Sequence, residues 1–445
     1  MRCRPEAVAA ALRDIDARNL RRRRVLAGDG RVNFCSNDYL GLAQDPRVAG
    51  AMADAARRLG AGSGASHLIS GHCAEHEALE REVAEFIGRE RALVFSTGYM
   101  TNLGVLGALA DRRDLLIADE LNHASLIDAV RLVRSPQNLR YVHADANAAH
   151  ALLDAYAPAA VAEGGGAFVI TDGVFSMDGD VAPLPALAAA ALQHAAWLIV
   201  DDAHGIGVIG ATGRGSCEHH ALGTREVPVL IGTFGKALGT FGAFVAGDAD
   251  VIELILQRAR SYIYTTALPP AVAAATRCAL EIVQTESWRR QHVQSLVEQF
   301  RAGARQRGLQ LVESATPIQP LILGAEEAVV NAEPGQIVVS SWSRLDLAVS
   351  ISSRTFSSCA LAPPSLRLVD CFKVKVHASI HCHSFHLKIN IKTNEASHPP
   401  ANQNNWHFGM AEQWPRSTLL LPAFSSRAWT AFSQAARLHI RHRPT

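Results

Sequence analysis

Lys236 is the only lysine in the first 333 residues; every other basic residue in that stretch is an arginine. Arginine stays protonated at working pH and cannot form a Schiff base. A lone lysine in an arginine-using segment therefore points to amine chemistry. Other polar residues gather, like Lys236, at the ends of short apolar runs. Ser96, Gly98 and Tyr99 follow ALVF, and Asp172 and Ser176 follow AFVIT. Asp201 and His204 follow LIV, and Thr233 and Lys236 follow VLIG. Pyridoxal phosphate chemistry asks for such a set. A lysine takes the aldehyde, and a carboxylate keeps the pyridine nitrogen protonated. A donor sits near the ring oxygen, a flat group covers one ring face, and backbone amides at a helix N-terminus hold the phosphate. Lys236, Asp201, His204, His123 and the Ser96–Tyr99 turn offer these in order. Taken singly, a strand-end aspartate is usually a cap and an interior histidine usually a satisfied core group. Their joint placement at strand ends carries the argument.

The elements that must position these residues are legible as alternation. Residues 5–24 read as a helix ending in Arg21–Arg24, and RVNFCSNDYLGLA as a short strand and polar turn. Helices are expected over 46–59 and 74–88, with the Gly- and Ser-rich loop GAGSGASHLISGH between them. From residue 92, apolar strands alternate with helices: ALVFSTGY, LLIADE, AFVITDGVFSMDG, WLIVDDAHG, VLIGTFGK and FGAFVAG. Short, fully apolar strands alternating with helices imply a buried, mostly parallel α/β sheet covered on both faces. In such sheets ligands bind beyond the carboxyl ends of the strands, where the polar residues lie. Residues 269–308 read as one or two long helices, and QLVESATPIQPLILG as the first strands of a smaller domain.

Bulk properties narrow the function classes. The chain has 445 residues, 48% hydrophobic and 19% charged, which suits two domains with ample core. A net charge of +1 argues against binding nucleic acid or a membrane surface through bulk charge. The 8 cysteines form no CxxC pair, as expected of free thiols in a reducing compartment. The N-terminus has no apolar signal core and no run is long enough to span a bilayer, so a cytoplasmic protein is expected.

Seven segments together resemble the α-oxoamine synthases: NFCSNDYLGLA, GSGASHLISGHCAEHEALE, STGYMTN, DELNHASLIDA, TDGVFSMDGDVAPL, VDDAHGIGVIGATGRGSCEH and GTFGKALGTFGAFVAG. The resemblance runs from about residue 10 to 324. It implies a fold-type-I pyridoxal-phosphate transferase: a mostly parallel seven-stranded sheet with helices on both faces, plus a smaller α/β domain. The implied boundaries are an arm over 1–40, a large cofactor-binding domain over 41–285, the start of a small domain over 286–330, and an atypical tail over 331–445. GRGSCEH, YIYTTALPP and TPIQPLILG are most similar to the branch of biotin biosynthesis that joins L-alanine to pimeloyl-CoA or pimeloyl-carrier protein with loss of CO2. A sister activity, such as glycine C-acetyltransferase, and a cofactor-binding but inactive remnant are the alternatives.

Residue roles follow from the resemblance. Lys236 would bind the cofactor and move the substrate α-proton, with His123, Asp201 and His204 as the other catalytic groups. Asp201 would face the pyridine nitrogen, His204 the ring oxygen and His123 the ring face. Gly98 and Tyr99 would hold the phosphate end, with Ser176 and Thr233 as hydroxyl partners. Arg21, Asn37 and His123 would meet substrate. The family is homodimeric with shared sites, so Thr265 or Thr266 would reach the neighbouring subunit's phosphate.

After TPIQPLILG the sequence departs from that pattern. The family's carboxylate-binding arginine, its Pro-Pro-Thr segment and its closing amphipathic helix are not found, and LAPPSLRLVD at 361–370 is only an echo. From Pro334 to the end there are twelve Lys and Arg against four Asp and Glu, and lysine usage returns at Lys373, Lys375, Lys388 and Lys392. A shifted reading frame near residue 325 would account for all of this in one event. HCHSFH at 381–386 lacks the second half of a zinc site, so no metal is assigned.

Overall fold

The computed structural model describes residues 4–18, 20–22, 24 and 33–322, and beyond them short strands at Gln336–Ile337, Asp346–Ser350 and Leu387–Lys388. The HCHSFH and LAPPSLRLVD segments lie outside the described residues.

The first helices are α1 (Pro5–Ala17), α2 (Pro46–Leu59) and α3 (Ala74–Ile87). The sheet region then alternates through β1 (Arg91–Phe95), α4 (Gly98–Leu109), β2 (Leu115–Asp119), α5 (Ala124–Val133), β3 (Asn138–Tyr141), α6 (Ala146–Ala162), β4 (Ala167–Asp172), α7 (Leu184–Gln193), β5 (Trp197–Asp201), α8 (Ser216–His219), β6 (Val229–Thr233) and β7 (Ala243–Gly247). It closes with α9 (Ala249–Arg258), α10 (Arg260–Ile263), α11 (Pro270–Thr285), α12 (Trp288–Gln306) and β8 (Ile318–Ile322). The seven strands lie in the order β1-β7-β6-β5-β4-β2-β3. Only β7 runs against its neighbours; the remaining pairings are parallel. The strands alternate their side chains between two cores. Val94, Leu198 and Phe244 pack with α3, α6, α7 and α11 on one face. Leu93, Ile199 and Val245 pack with α4, α5 and α9 on the other. Burial on both faces is why these strands read as apolar throughout.

Three readings of the sequence need correcting. The first helix stops at Ala17 rather than running to Arg24, because none of its residues is buried and no packing extends it. The described part of RVNFCSNDYLGLA forms turns, not a strand: Asp38 accepts from the amides of Leu42 and Ala43, curling the chain back. Strand β3 and helix α6 were not signalled, since NLRY is a polar edge strand and α6 contains Pro158. Residues 269–308 form two helices, α11 and α12. No helix among the described residues is long and apolar enough to cross a membrane.

One close approach ties the Lys236 turn to the NDYLG segment. Gly239 has φ +67°, and a Cβ there would lie 2.3 Å from the Ala43 amide nitrogen. Backbone cannot yield as a side chain can. Gly239→Ala is expected to cost about 2 kcal/mol or more and to lower the thermal midpoint; an unchanged midpoint would show that the two segments are not interlocked.

Candidate active site

The carboxyl ends of β4, β5 and β6 deliver the polar residues side by side. Asp172 and Asp201 are register partners across β4 and β5, and both are buried. The His123 amide donates to Asp172 Oδ2 at 2.6 Å, which fixes the start of α5 beside the strand ends. Asn122 closes the same junction, accepting from the Asp172 amide at 2.9 Å and donating to the Ile170 carbonyl at 2.9 Å. Burial raises the Asp172 carboxyl well above its ordinary range, with Asp201 adding to the rise.

Lys236 lies in the turn between β6 and β7. Thr233 Oγ1 donates to the Gly242 carbonyl at 2.9 Å, and the Phe234 amide donates to the same carbonyl at 2.9 Å, closing the turn at its base. Burial lowers the Lys236 ammonium from its ordinary value, while Asp201, Asp172 and Asp202 oppose that shift. A lysine so placed reaches its nucleophilic neutral form more easily than one in water.

Asp201 is held by two donors. The Ala203 amide reaches Oδ1 at 3.1 Å and Asn102 Nδ2 reaches Oδ2 at 2.6 Å. Asn102 also donates to Ser125 Oγ at 2.7 Å, and Ser125 Oγ lies 2.6 Å from His123 Nδ1. Since the Ser125 amide also points at Nδ1, that nitrogen is the acceptor and His123 carries its proton on Nε2. Desolvation lowers the His123 pKa, Lys236 lowers it further, and Asp201 opposes them.

His204 is buried, and its Nδ1 lies 2.7 Å from the Tyr39 hydroxyl. That hydroxyl also reaches Asn37 Oδ1 at 3.4 Å, so Asn37, Tyr39 and His204 form one line. Burial pushes the His204 imidazole well below its usual range, helped by Lys236 and His123. Next along the chain, Asp202 accepts from the Ser216 amide at 2.6 Å and the Ser216 hydroxyl at 2.7 Å. Burial raises the Asp202 carboxyl to about 7.

Thr97 caps α4 by accepting from the Met100 amide at 3.2 Å. The first-turn amides of Gly98 and Tyr99 then point out of the helix end, a ready site for an anion. The Tyr99 hydroxyl donates to Asp128, and its ring meets His123 edge-on at 6.5 Å. Thr266 also borders this turn, since Ser96 Oγ donates to its carbonyl at 3.5 Å. Arg21 is not brought to this cluster within the described residues; it pairs with Asp16 at 2.7 Å on its own exposed arm. Ser176 sits in the turn after β4, half-buried, and Thr265 is likewise half-buried beside Thr266.

The aminotransferase class I and II family matches residues 29–369, which carries the likeness beyond the point where the sequence motifs lapse. The 8-amino-7-oxononanoate synthase of Cellvibrio japonicus is 55% identical over 310 residues, covering 69% of this chain and 76% of that protein. That of Methylococcus capsulatus is 51% identical over 370 residues, covering 81% of this chain and 90% of that protein. The chain belongs to the 8-amino-7-oxononanoate synthase family. The fold agrees: the Francisella tularensis 8-amino-7-oxononanoate synthase superposes with a TM-score of 0.63 at 29% identity, covering 75% of this chain and 97% of that one. Serine palmitoyltransferase from S. paucimobilis, solved with a bound PLP–myriocin aldimine, superposes with a TM-score of 0.71 at 25% identity, covering 80% of this chain and 95% of that one. The architecture is thus that of a fold-type-I pyridoxal-phosphate transferase.

Against that family frame, the residues present fit pyridoxal phosphate. A desolvated amine faces a buried carboxylate, an imidazole stands beside them, and a capped helix end supplies amides. Tyr39, Asn102, Ser125 and Asp202 belong to the assembly but were not singled out from sequence. Only DYLG and DDAH hinted at two of them, by adjacency to Asn37 and Asp201.

Two consequences are measurable. Tyr39→Phe leaves the buried His204 Nδ1 without its partner, a loss of about 1–3 kcal/mol that should lower the thermal midpoint by several degrees. A midpoint equal to that of the parent would rule out this bond. Asp201→Asn removes the carboxylate that most favours the charged amine, so the Lys236 pKa should fall further. In cofactor-free protein the mutant lysine should then react with amine-directed reagents at lower pH than the parent lysine; a profile shifted upward would contradict the electrostatics.

Proposed function

We propose that this chain is a pyridoxal-phosphate-dependent acyltransferase of biotin biosynthesis that condenses L-alanine with a pimeloyl thioester to 8-amino-7-oxononanoate, releasing CO2 and the thiol. The observation that carries the reading is the desolvated Lys236 amine set among strand-end carboxylates, in a chain whose relatives are 8-amino-7-oxononanoate synthases at above 50% identity.

When bound, the cofactor withdraws electrons from the substrate α-carbon, which is the chemistry that neither lysine nor carboxylate can supply alone. The remaining work falls to the chain. Lys236 Nζ attaches the cofactor and afterwards takes the α-proton of alanine, a step for which a lowered pKa suits it. Asp201, held in place by the Asn102 and Ala203 donors, would face the pyridine nitrogen. His123 covers the ring with Nδ1 anchored on Ser125, and His204, braced by Tyr39, serves the ring oxygen. The Gly98 and Tyr99 amides receive the phosphate, with Ser176 and Thr233 as hydroxyl partners. Asn37 lies toward the amino acid. Arg21 would serve the acyl chain, and Thr265 or Thr266 a second subunit's phosphate in a homodimer. Exposed apolar residues flanking the site support that assembly: Ile69 is 81% exposed, Tyr264 71% and Phe241 51%. The large domain spans 41–285 and the small domain begins at 286–330. A cytoplasmic setting suits the soluble substrates of this reaction.

The test is direct. Purified protein should show the visible absorption of a lysine-bound cofactor and should release thiol from pimeloyl-CoA or pimeloyl-carrier protein when given L-alanine. Lys236→Ala should lose the band and reduce turnover by at least about 10² to 10⁴. Thiol release with glycine or serine but not alanine would assign a sister activity, and a cofactor band without thiol release from any amino acid would sink the reading of an active synthase.

A further inference from the structure

A separate cluster lies in the loop between α2 and α3. His67, His72 and His76 each offer a ring nitrogen, and the three lie within 4.8 Å of one another. The backbone there is unusual. His67–Gly71 makes a single π-helical turn, and a Cβ on Gly71 would meet the Ala65 carbonyl oxygen at 2.0 Å. That turn sets His67 Nδ1 2.9 Å from His72 Nδ1. His76, in the first turn of α3, adds its own Nδ1, with Cys73 Sγ 3.4 Å away. His76 is fully buried, His67 is 8% exposed, and the His72 side chain is 29% exposed.

The outward nitrogens are already committed. His76 Nε2 donates to the Leu268 carbonyl at 2.6 Å, and His72 Nε2 lies 3.1 Å from Glu77 Oε2. A carbonyl or carboxylate on the far nitrogen is the outer partner that fixes the tautomer of a metal-binding imidazole and turns its lone pair inward. His67 stacks on Tyr262 at 4.8 Å and 11°, which sets its ring plane. Burial, followed by the neighbouring His76 and His72, lowers its pKa to about 3, so it is neutral and ligation-competent. Packing alone would be served as well by apolar rings, and does not ask for three imidazoles whose ring nitrogens converge.

We propose that His67, His72 and His76 bind one divalent transition-metal ion of the Zn2+ class, with water or Cys73 Sγ as the fourth ligand. Zn–N bonds of about 2.0–2.1 Å place ligand nitrogens roughly 3.3 Å apart in a tetrahedron, within reach of small ring rotations from the spacing seen. Binding displaces the Cys73 amide from His76 Nδ1 and the proton shared between His67 and His72. That proton shifts, by way of solvent, from Nδ1 to His67 Nε2, so His67 binds the ion as a neutral imidazole. The ion pins a strut. Ser66 bridges Thr266, the Ala267 amide donates to the Ala65 carbonyl at 2.9 Å, and Ser96 Oγ donates to the Thr266 carbonyl. The metal therefore braces the loop that borders the phosphate turn, and it takes no part in bond chemistry.

The holoenzyme, stripped with a chelator, is titrated with ZnCl2 by calorimetry and with CoCl2 by visible spectroscopy. One equivalent of Zn2+ per chain is expected, with ligand-field bands for Co2+ and a raised thermal midpoint. His72→Gln, at the partly exposed member, should weaken Zn2+ binding by more than 100-fold, and Glu77→Gln by about 10- to 100-fold. His194→Gln, in a separate cluster with His150 and Asp154, should change nothing. Near-UV circular dichroism checks that each variant folds, with His72→Asn as the substitute if His72→Gln does not. Millimolar binding only, or Zn2+ affinity unmoved by loss of His72, overturns the proposal.

Discussion

A single desolvated amine depends on a ring of carboxylates, and most of the described structure serves that arrangement. Taking Lys236 out of water disfavours its charge, and Asp201, Asp172 and Asp202 restore part of it. Gathering three carboxylates is itself costly, because burial raises Asp172 and Asp202. The parallel strands meet that cost by fixing Asp172 and Asp201 in register, so neither can drift toward solvent. The balance leaves an amine that can shed its proton and carboxylates that can face a cation.

Glycine makes room for this charge. Cβ atoms on Gly173, Gly205 and Gly215 would lie 2.5, 2.1 and 2.0 Å from the Asp202 carboxylate. Three segments thus close around one side chain, with Ser216 supplying its hydrogen bonds. The same logic holds the far side of the site, where Gly239 lets the Lys236 turn press on Leu42 and Ala43. Tyr39 in that neighbouring turn then reaches His204. Backbone contact and side-chain hydrogen bonding reinforce each other, which fixes geometry better than either alone.

The strand–helix alternation and the strand-end chemistry were legible because a doubly covered sheet forces apolar strands and pushes polar groups to their ends. Lys236 was legible by its rarity. What failed were features without a local signal. β3 is a polar edge strand, α1 has no buried face to extend it, and DYLGLA turns on the Asp38 side chain. Asn102, Ser125 and Tyr39 look like ordinary helix and turn residues until the fold brings them to Asp201, His123 and His204.

The sequence by itself determined the class of chemistry, the cofactor it points to, the layered α/β architecture and the strand ends that carry Lys236, Asp201, His204 and His123. Those depend on residue type and on short periodicities, which are local. Only the tertiary structure decided which polar groups brace them, the direction in which burial shifts Lys236, His204 and His123, and the meeting of His67, His72 and His76. Such contacts join residues far apart in the chain or across an irregular turn. Their energies come from burial and hydrogen-bond geometry, neither of which a linear pattern encodes.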